Sequence, residues 1–263
     1  MLRFFRHIRK TLMEQNKTRT YLLYALGEVM LVVIGILLAL QINNLNLDRI
    51  DRQKEQEILL DLKVEFEANL NDLNRVIGQH KVIYSELTEL QKVSISRNYD
   101  DPRLDSLTHS FIKWFTFTDR PGASTNLISS GNLNLIRSDS LRDLITQWSG
   151  NVNDVIDDEV YTADFVRETM LPFLAKHYPI SNLEPQNKNL IRIYYMDRES
   201  DPIFDPVFPV KSVNWKSILE NKEFQSLIAL RKIYEMHCIM EGEFTEEKVH
   251  RILALIKQEL DKT

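Results

Sequence analysis

The stretch YLLYALGEVMLVVIGILLALQI, residues 21–42, decides how the rest of the chain is interpreted. It carries one charged side chain, Glu28, and at about 1.5 Å per residue a helix of this length spans the roughly 30 Å hydrocarbon core of a bilayer. The run ends in Gln41 and Ile42 without the small-residue cleavage site of a secretory signal peptide. We therefore predict an uncleaved, single-pass signal anchor here, rather than a signal peptide or a buried core helix.

The charges around this span predict its orientation. Residues 1–20 carry six Lys or Arg side chains and one acidic residue, Glu14, whereas acidic side chains offset the basic ones just after the span. Positive charge flanking a span favours the cytoplasmic side, so we expect residues 1–20 to be cytoplasmic and residues 43–263 to be exported. In the tail, Phe4 and Ile8 share a helix face opposite the basic residues, which predicts an amphipathic helix against the lipid headgroups.

One face of the span combines a carboxylate with small residues. At about 100° per residue, Glu28, Gly35 and Asn46 fall within about 20° of one another, and Ala39 flanks them. Gly35 and Ala39 form a small-xxx-small spacing that lets a second helix approach closely. These four residues are our candidate intramembrane contact with a second copy or another envelope protein. In two other interpretations, Glu28 reaches the cytoplasmic interface without a special role, or it lines an ion or proton path in an oligomer.

The span also carries a family resemblance. The run YLLYALGEVMLVVIGILLALQINN, with its Gly27-Glu28 pair and its terminal Asn43-Asn44, resembles a bacterial family of uncharacterised single-span envelope proteins. The later stretch LISSGNLNLIRSDSLRDLI, residues 127–145, is similar to the middle segment of that family. Leu45 departs from the pattern, in which a Trp is expected. The resemblance implies a bacterial inner-membrane location and a helical exported domain, and it implies no activity.

Beyond the span, proline placement divides the chain. All eight prolines lie between Pro102 and Pro209, and both flanks can therefore form long helices. Apolar residues recur at alternating steps of three and four from Leu59 to Leu90, which predicts a coiled-coil-like helix over about 50–96. Two polar residues interrupt this stripe. Asn69 is interpreted as a register-setting residue or part of a surface-tilted seam, and His80 is not expected to bind a metal because no second ligand lies three or four residues away.

The C-terminal flank predicts a second long helix over about 222–262, with an interruption near Gly242. The two long helices are expected to pair antiparallel as a stalk, with residues 100–215 as a helical cap. The fold class is therefore mainly α: one transmembrane helix, a coiled-coil-like stalk and a helical cap domain. Three cap helices are predicted, over 104–115, 138–148 and 151–177, the last kinked or split at Pro172. Residues 129–132 are predicted to form a turn or a ligand-binding loop, with Gly131 left-handed. A strand is predicted over 191–195, and the apolar segment 201–209 is expected to wrap the bundle or to dock a partner.

Little in the sequence points to catalysis. We find no phosphate-binding, dinucleotide-binding, metalloprotease or serine-hydrolase motif, and the six histidines are scattered. The single cysteine, Cys238, precludes an internal disulfide and is expected to be a packed thiol. An acidic cluster at Asp154, Asp157, Asp158 and Glu159 is interpreted as a solvated face. The net charge of −5 disfavours a nucleic-acid partner.

We therefore expect a membrane-anchored periplasmic interaction or scaffold protein without a cofactor, whose partners are membrane lipid and a second copy or another envelope protein. The alternatives are a periplasmic sensor module, an ion or proton path that depends on Glu28, and an enzyme without a recognisable motif.

Overall fold

The computed structural model describes residues 18–183 and 211–262, which divide into two compact units at Met1–Glu57 and Ile58–Thr263. Three predicted features lie outside the described residues: the amphipathic tail helix up to residue 17, the strand over 191–195 and the segment 201–209. Within the described residues the chain is helical, and no strand occurs.

Seven α-helices form the described part of the chain. They are α1 (Thr18–Ser96), α2 (Leu104–Thr108), α3 (Ala123–Ser129), α4 (Asp139–Phe165), α5 (Leu171–His177), α6 (Trp215–Leu219) and α7 (Lys222–Leu260). Short 3-10 turns cover His109–Phe111, Asn132–Leu135 and Ile180–Leu183, and a π-helical turn, Val166–Met170, joins α4 to α5.

The first unit contains the N-terminal part of α1, and its apolar side chains face outward. Large apolar residues between Leu22 and Leu47 are 43–73% exposed. The most apolar 18-residue window has a mean hydropathy of 2.4, and none of it is buried. By length and composition this helix can cross a membrane, a property that it shares with signal sequences.

The second unit is built on a bundle of three long helices: α1 from Ile58 onward, α4 and α7. Lys81 of α1 pairs with Glu243, and Gln91 accepts a hydrogen bond from Lys232, so α1 and α7 run antiparallel. The ring of Phe66 in α1 contacts Trp148 of α4 at 5.1 Å between centroids. The apolar stripe predicted from Leu59 to Leu90 is buried in this core, which removes apolar surface from water and stabilises the bundle.

Gly242 does not interrupt the last helix, contrary to the sequence-based expectation. α7 is continuous from Lys222 to Leu260, and Gly242 is buried inside it. A Cβ atom at this position would lie 2.8 Å from Cγ1 of Ile77 on α1. The glycine is therefore a packing residue at a close approach of two helices, and tertiary contact outweighs its low helix propensity.

The predicted boundary between helices at residues 148–151 is also wrong. α4 continues through it to Phe165, and the irregularity lies further on, in the π turn just before Pro172. Because Pro172 has no N–H to donate, the wider turn accommodates the missing hydrogen bond without ending the helix. The helix predicted over 104–115 is shorter than expected and ends in the 3-10 turn at Phe111.

Candidate functional site

The four residues of the predicted intramembrane contact all lie on α1 in the first unit. Gly35, Ala39 and Asn46 are exposed, and Glu28 is partly exposed. A Cβ placed on Gly35 would meet nothing within 4 Å. Helical geometry puts the four on one face, which leaves space for a second helix. Their role as a contact stays a prediction.

A cluster of four charged or titratable side chains lies at the centre of the bundle. This buried charge cluster consists of His80 from α1, Glu159 from α4, and Arg231 and Glu235 from α7, each at most 1% exposed. His80 Nδ1 lies 2.7 Å from Glu235 Oε2, and His80 Nε2 lies 3.5 Å from Glu159 Oε1. Arg231 Nη2 lies 2.6 Å from Glu235 Oε1. One network therefore joins all three helices of the bundle.

The cluster also binds the backbone segment between residues 112 and 122, which has no regular secondary structure. The N–H of Phe117 donates to Glu159 Oε2 over 2.6 Å, and Arg231 Nη2 donates to the carbonyl oxygen of Lys113 over 2.6 Å. The carbonyl oxygen of Thr162 accepts a longer bond, of 3.4 Å, from Arg231 Nη1. An anion and a cation of the cluster thus each hold one end of the segment 113–117.

Burial and neighbouring charge act in opposite directions on the titration of these groups. Burial lowers the pKa of His80, but the hydrogen bonds and charges of Glu159 and Glu235 outweigh burial and raise the pKa to about 9. Burial lowers the pKa of Arg231, and the nearby Glu235 carboxylate opposes that effect. With His80 protonated, the cluster sets two cationic groups, His80 and Arg231, against two carboxyl groups, Glu159 and Glu235.

The single cysteine lies beside this cluster. The thiol of Cys238 is 3.4 Å from Thr162 Oγ1 and is buried, and burial raises its pKa to about 12. A thiol in this state is protonated and unreactive at neutral pH. These observations support the interpretation of Cys238 as a packed residue.

The arrangement of the cluster is that of a structural ion network. Among the described residues, no group of three or more His, Cys, Asp or Glu side chains is placed to hold a metal ion. The Arg231 guanidinium provides a fixed positive charge beside Glu235. Because solvent does not reach the four side chains, the network can link helices and respond to protons, but it is closed to a substrate.

Three polar side chains of α1 hold the next part of the same connecting segment. Glu65, Asn69 and Asp72 follow one another at helical spacing on α1. Their partners are the N–H groups of Thr118, Arg120, Gly122 and Ser124 and the side chains of Asp119 and Ser124. Asn69 is fully buried, so the predicted surface seam is wrong, and its amide binds this segment instead of another long helix.

The connecting segment leads into α3, and a groove opens at the end of that helix. It has a volume of about 390 Å³ and is lined by Ile58 and Asp61 of α1, by residues of α3 and by the turn that follows it. The turn is present as predicted, with Gly131 left-handed at a φ of 73°. Part of the turn, Ser129, Ser130 and Asn132, also lines the groove, so the alternative of a ligand-binding loop stays open.

The sequence-based interpretation missed most of the buried charge cluster. Glu159 was grouped with a solvated acidic face, and this is wrong for Glu159, which is 1% exposed. The helical spacing contained a signal, because Arg231 and Glu235 replace apolar residues in a row that continues to Cys238 and Gly242. A charge in a core row indicates a buried partner on another helix.

Comparison with protein-family models matches residues 28–166 to a family of unknown function, DUF6090. The matched range includes most of the predicted span and all of the stretch 127–145 that carries the family resemblance. Comparisons with curated proteins and with solved structures found no match. Because the matched range covers more than half of the chain, the protein belongs to the DUF6090 family.

Proposed function

We propose that this protein is a membrane-anchored interaction protein that holds its helical domain in the periplasm and associates with itself through α1. The observation that carries this proposal is the exposed apolar surface of α1 between Leu22 and Leu47. Exposed apolar surface of this extent is unfavourable in water at about 25 cal/mol per Å², so these side chains require lipid or other helices.

The basic tail gives the proposed direction of insertion. Lys and Arg residues before the span favour a cytoplasmic N-terminus, which places the second unit outside the cytoplasm. An alkaline phosphatase fusion at the C-terminus, which is active only after export, is expected to be active in a bacterial host. An inactive C-terminal fusion together with an active N-terminal one would reverse the orientation and refute the periplasmic assignment.

The proposed self-contact uses the face defined by Glu28, Gly35, Ala39 and Asn46. Small residues let two helices approach closely, and ionisable residues in a span usually face other helices rather than lipid. Because Gly35, Ala39 and Asn46 are exposed in the first unit, a second copy of the same helix can pack against this face.

Cysteine crosslinking of the full-length protein in native membranes tests this contact. Ala39→Cys lies on the proposed face, and Leu37→Cys lies on the opposite face at nearly the same depth. Wild-type protein gives the background, because its own Cys238 is 1% exposed. We expect an oxidant to trap a dimer of Ala39→Cys and little dimer of Leu37→Cys. Equal yields from the two variants, or none from either, would refute the specific face.

The groove of about 390 Å³ favours a second candidate function, a sensor that binds a small molecule. A panel of small molecules can be screened by thermal shift of the detergent-solubilised full-length protein. A true groove ligand is expected to lose its effect in Asn126→Trp, which fills the groove, and to keep it in Thr125→Trp, an exposed neighbour outside the lining. A panel without any stabilising compound would count against the sensor.

A further inference from the structure

We propose that the buried charge cluster is a pH-operated latch, in which loss of one proton from His80 at alkaline pH loosens the backbone of the segment 113–117 while the buried side chains of Phe115 and Phe117 stay in the core. This goes beyond the proposed anchoring and self-association, because it assigns a regulatory element to the second unit. The proposal rests on the geometry of the cluster and does not depend on the membrane contact.

The geometry favours a protonated imidazole. Both ring nitrogens of His80 face carboxylate oxygens, of Glu235 at 2.7 Å and of Glu159 at 3.5 Å. A neutral imidazole has one N–H and would turn a lone pair towards one of these carboxylates, whereas an imidazolium presents an N–H to each. The doubly protonated ring is therefore the form that fits this site.

In the described part of the chain, no other group around His80 can replace the positive charge that is lost with its proton. Glu159 faces the ring from α4 and Glu235 faces it from α7, with Arg231 paired to Glu235 behind it. Cys238 is nearby on α7 with a protonated thiol, and the irregular segment contributes backbone groups of Lys113 and Phe117. If His80 loses its proton, Arg231 still pairs with Glu235, whereas Glu159 loses its charged partner and a net negative charge is left buried.

The segment 113–117 is where this charge can be relieved. α1, α4 and α7 have internally hydrogen-bonded backbones, whereas the segment has no regular structure and its backbone depends on Glu159 and Arg231 for two bonds. Its side chains are held separately, because Phe115 and Phe117 are each 1% exposed in the core and Lys113 Nζ binds Glu86. A local shift of the backbone, with these side chains in place, admits water to the carboxylates without breaking a helix.

The pKa of His80 supports the direction of the pH dependence and the pH range over which the latch opens. Since the folded-state pKa is about 9 and the ordinary value is 6.5, the cluster stabilises the closed form fully below pH 6.5 and loses that contribution as the pH rises through 9. The difference corresponds to an increase of about 300-fold in the equilibrium constant for opening.

Hydrogen exchange of the full-length protein in detergent, from pH 6 to 10 and corrected for the intrinsic pH dependence of exchange, tests the latch. We expect peptides covering residues 113–117 to lose protection with a midpoint near pH 9 while peptides from the core of α7 stay protected. In Glu235→Gln the imidazole has one carboxylate fewer, so the midpoint is expected to fall towards 6.5. His250→Gln, an exposed histidine on α7, is the matched control and is expected to behave as wild type.

Three results would overturn the proposal. One is full protection of residues 113–117 up to pH 10 in the wild-type protein. Another is loss of protection in all helices together, which is global alkaline unfolding and no latch. The third is an unchanged midpoint in a folded Glu235→Gln variant. The two wild-type results keep the proposal testable even if that variant does not fold.

Discussion

Replacement of Gly242 by alanine tests whether the contact between α1 and α7 is as close as the structure shows. In an isolated helix, Gly→Ala stabilises by about 1 kcal/mol because alanine has the higher helix propensity. In this protein the new Cβ would lie 2.8 Å from Cγ1 and 3.3 Å from Cδ1 of Ile77. Ile77 is 3% exposed and β-branched, so its side chain has little room to move.

Overpacking of a tight core costs about 1–3 kcal/mol, so the clash is expected to outweigh the gain in propensity. We expect Gly242→Ala to lose about 1 kcal/mol of stability. The matched control is Gly78→Ala on α1, one residue from Ile77, where an added Cβ meets nothing within 4 Å. That variant is expected to gain about 0.5–1 kcal/mol.

The assay is thermal unfolding of both full-length variants in the same detergent, followed by circular dichroism. For a domain of this size, 1 kcal/mol shifts Tm by about 2–4 °C, so the two variants should differ by about 3–8 °C. In the background of Ile77→Ala, which removes Cγ1, the cost of the Gly242→Ala substitution should largely disappear. If Gly242→Ala is as stable as Gly78→Ala, the close approach of the two helices is wrong.

Three further predictions follow from single residues. Asn221→Ala should destabilise the protein by about 1 kcal/mol in urea titrations, because the Asn221 side chain accepts hydrogen bonds from the first N–H groups of α7, at 2.8 Å and 3.3 Å. Because His80 has a raised pKa of about 9, the free energy of unfolding should fall by about 3 kcal/mol between pH 6.5 and pH 9.5, and His80→Gln should remove this pH dependence. Cys238 should not react with a maleimide at pH 7.5 until the protein is unfolded, since its thiol is buried and has a pKa of about 12; rapid labelling of the folded protein would contradict the packed position.

Local pattern was sufficient to predict the elements of the fold that depend on one helix at a time. The apolar run of α1 and the stripe from Leu59 to Leu90 repeat along a single helix, so spacing alone reveals them. Gly131 was also predictable, because a left-handed residue after a short helix favours glycine. Each of these features is a property of neighbours in sequence.

The missed features depend on which helices meet and at what depth. In the sequence, Gly242 resembles a helix breaker, and only its contact with Ile77 in the structure shows that it is a packing residue. In the sequence, Glu159 is one more acidic residue after Asp157 and Asp158. The structure shows that α4 is continuous past it to Phe165, with the π turn beyond, and that Glu159 is on the buried side of the helix. His80 has no partner nearby in sequence, because its partners lie on two other helices. Propensity and local spacing carry no information on such pairs.

The charge cluster and Gly242 together explain how three similar helices choose one alignment. The buried rows of α1, α4 and α7 repeat with steps of three and four, so apolar packing alone changes little when a helix slips by seven residues. A slip of α7 by one such repeat would put Ile228 or Gly242 opposite His80 and bury Glu235 away from it. An unpaired buried charge costs about 3–5 kcal/mol. The same slip would replace the glycine beside Ile77 with Glu235 or Val249, whose Cβ atoms do not fit at that distance. Two unrelated effects, charge pairing and steric fit, therefore disfavour the same wrong alignments, so the ion network contributes to the choice of alignment as well as to stability.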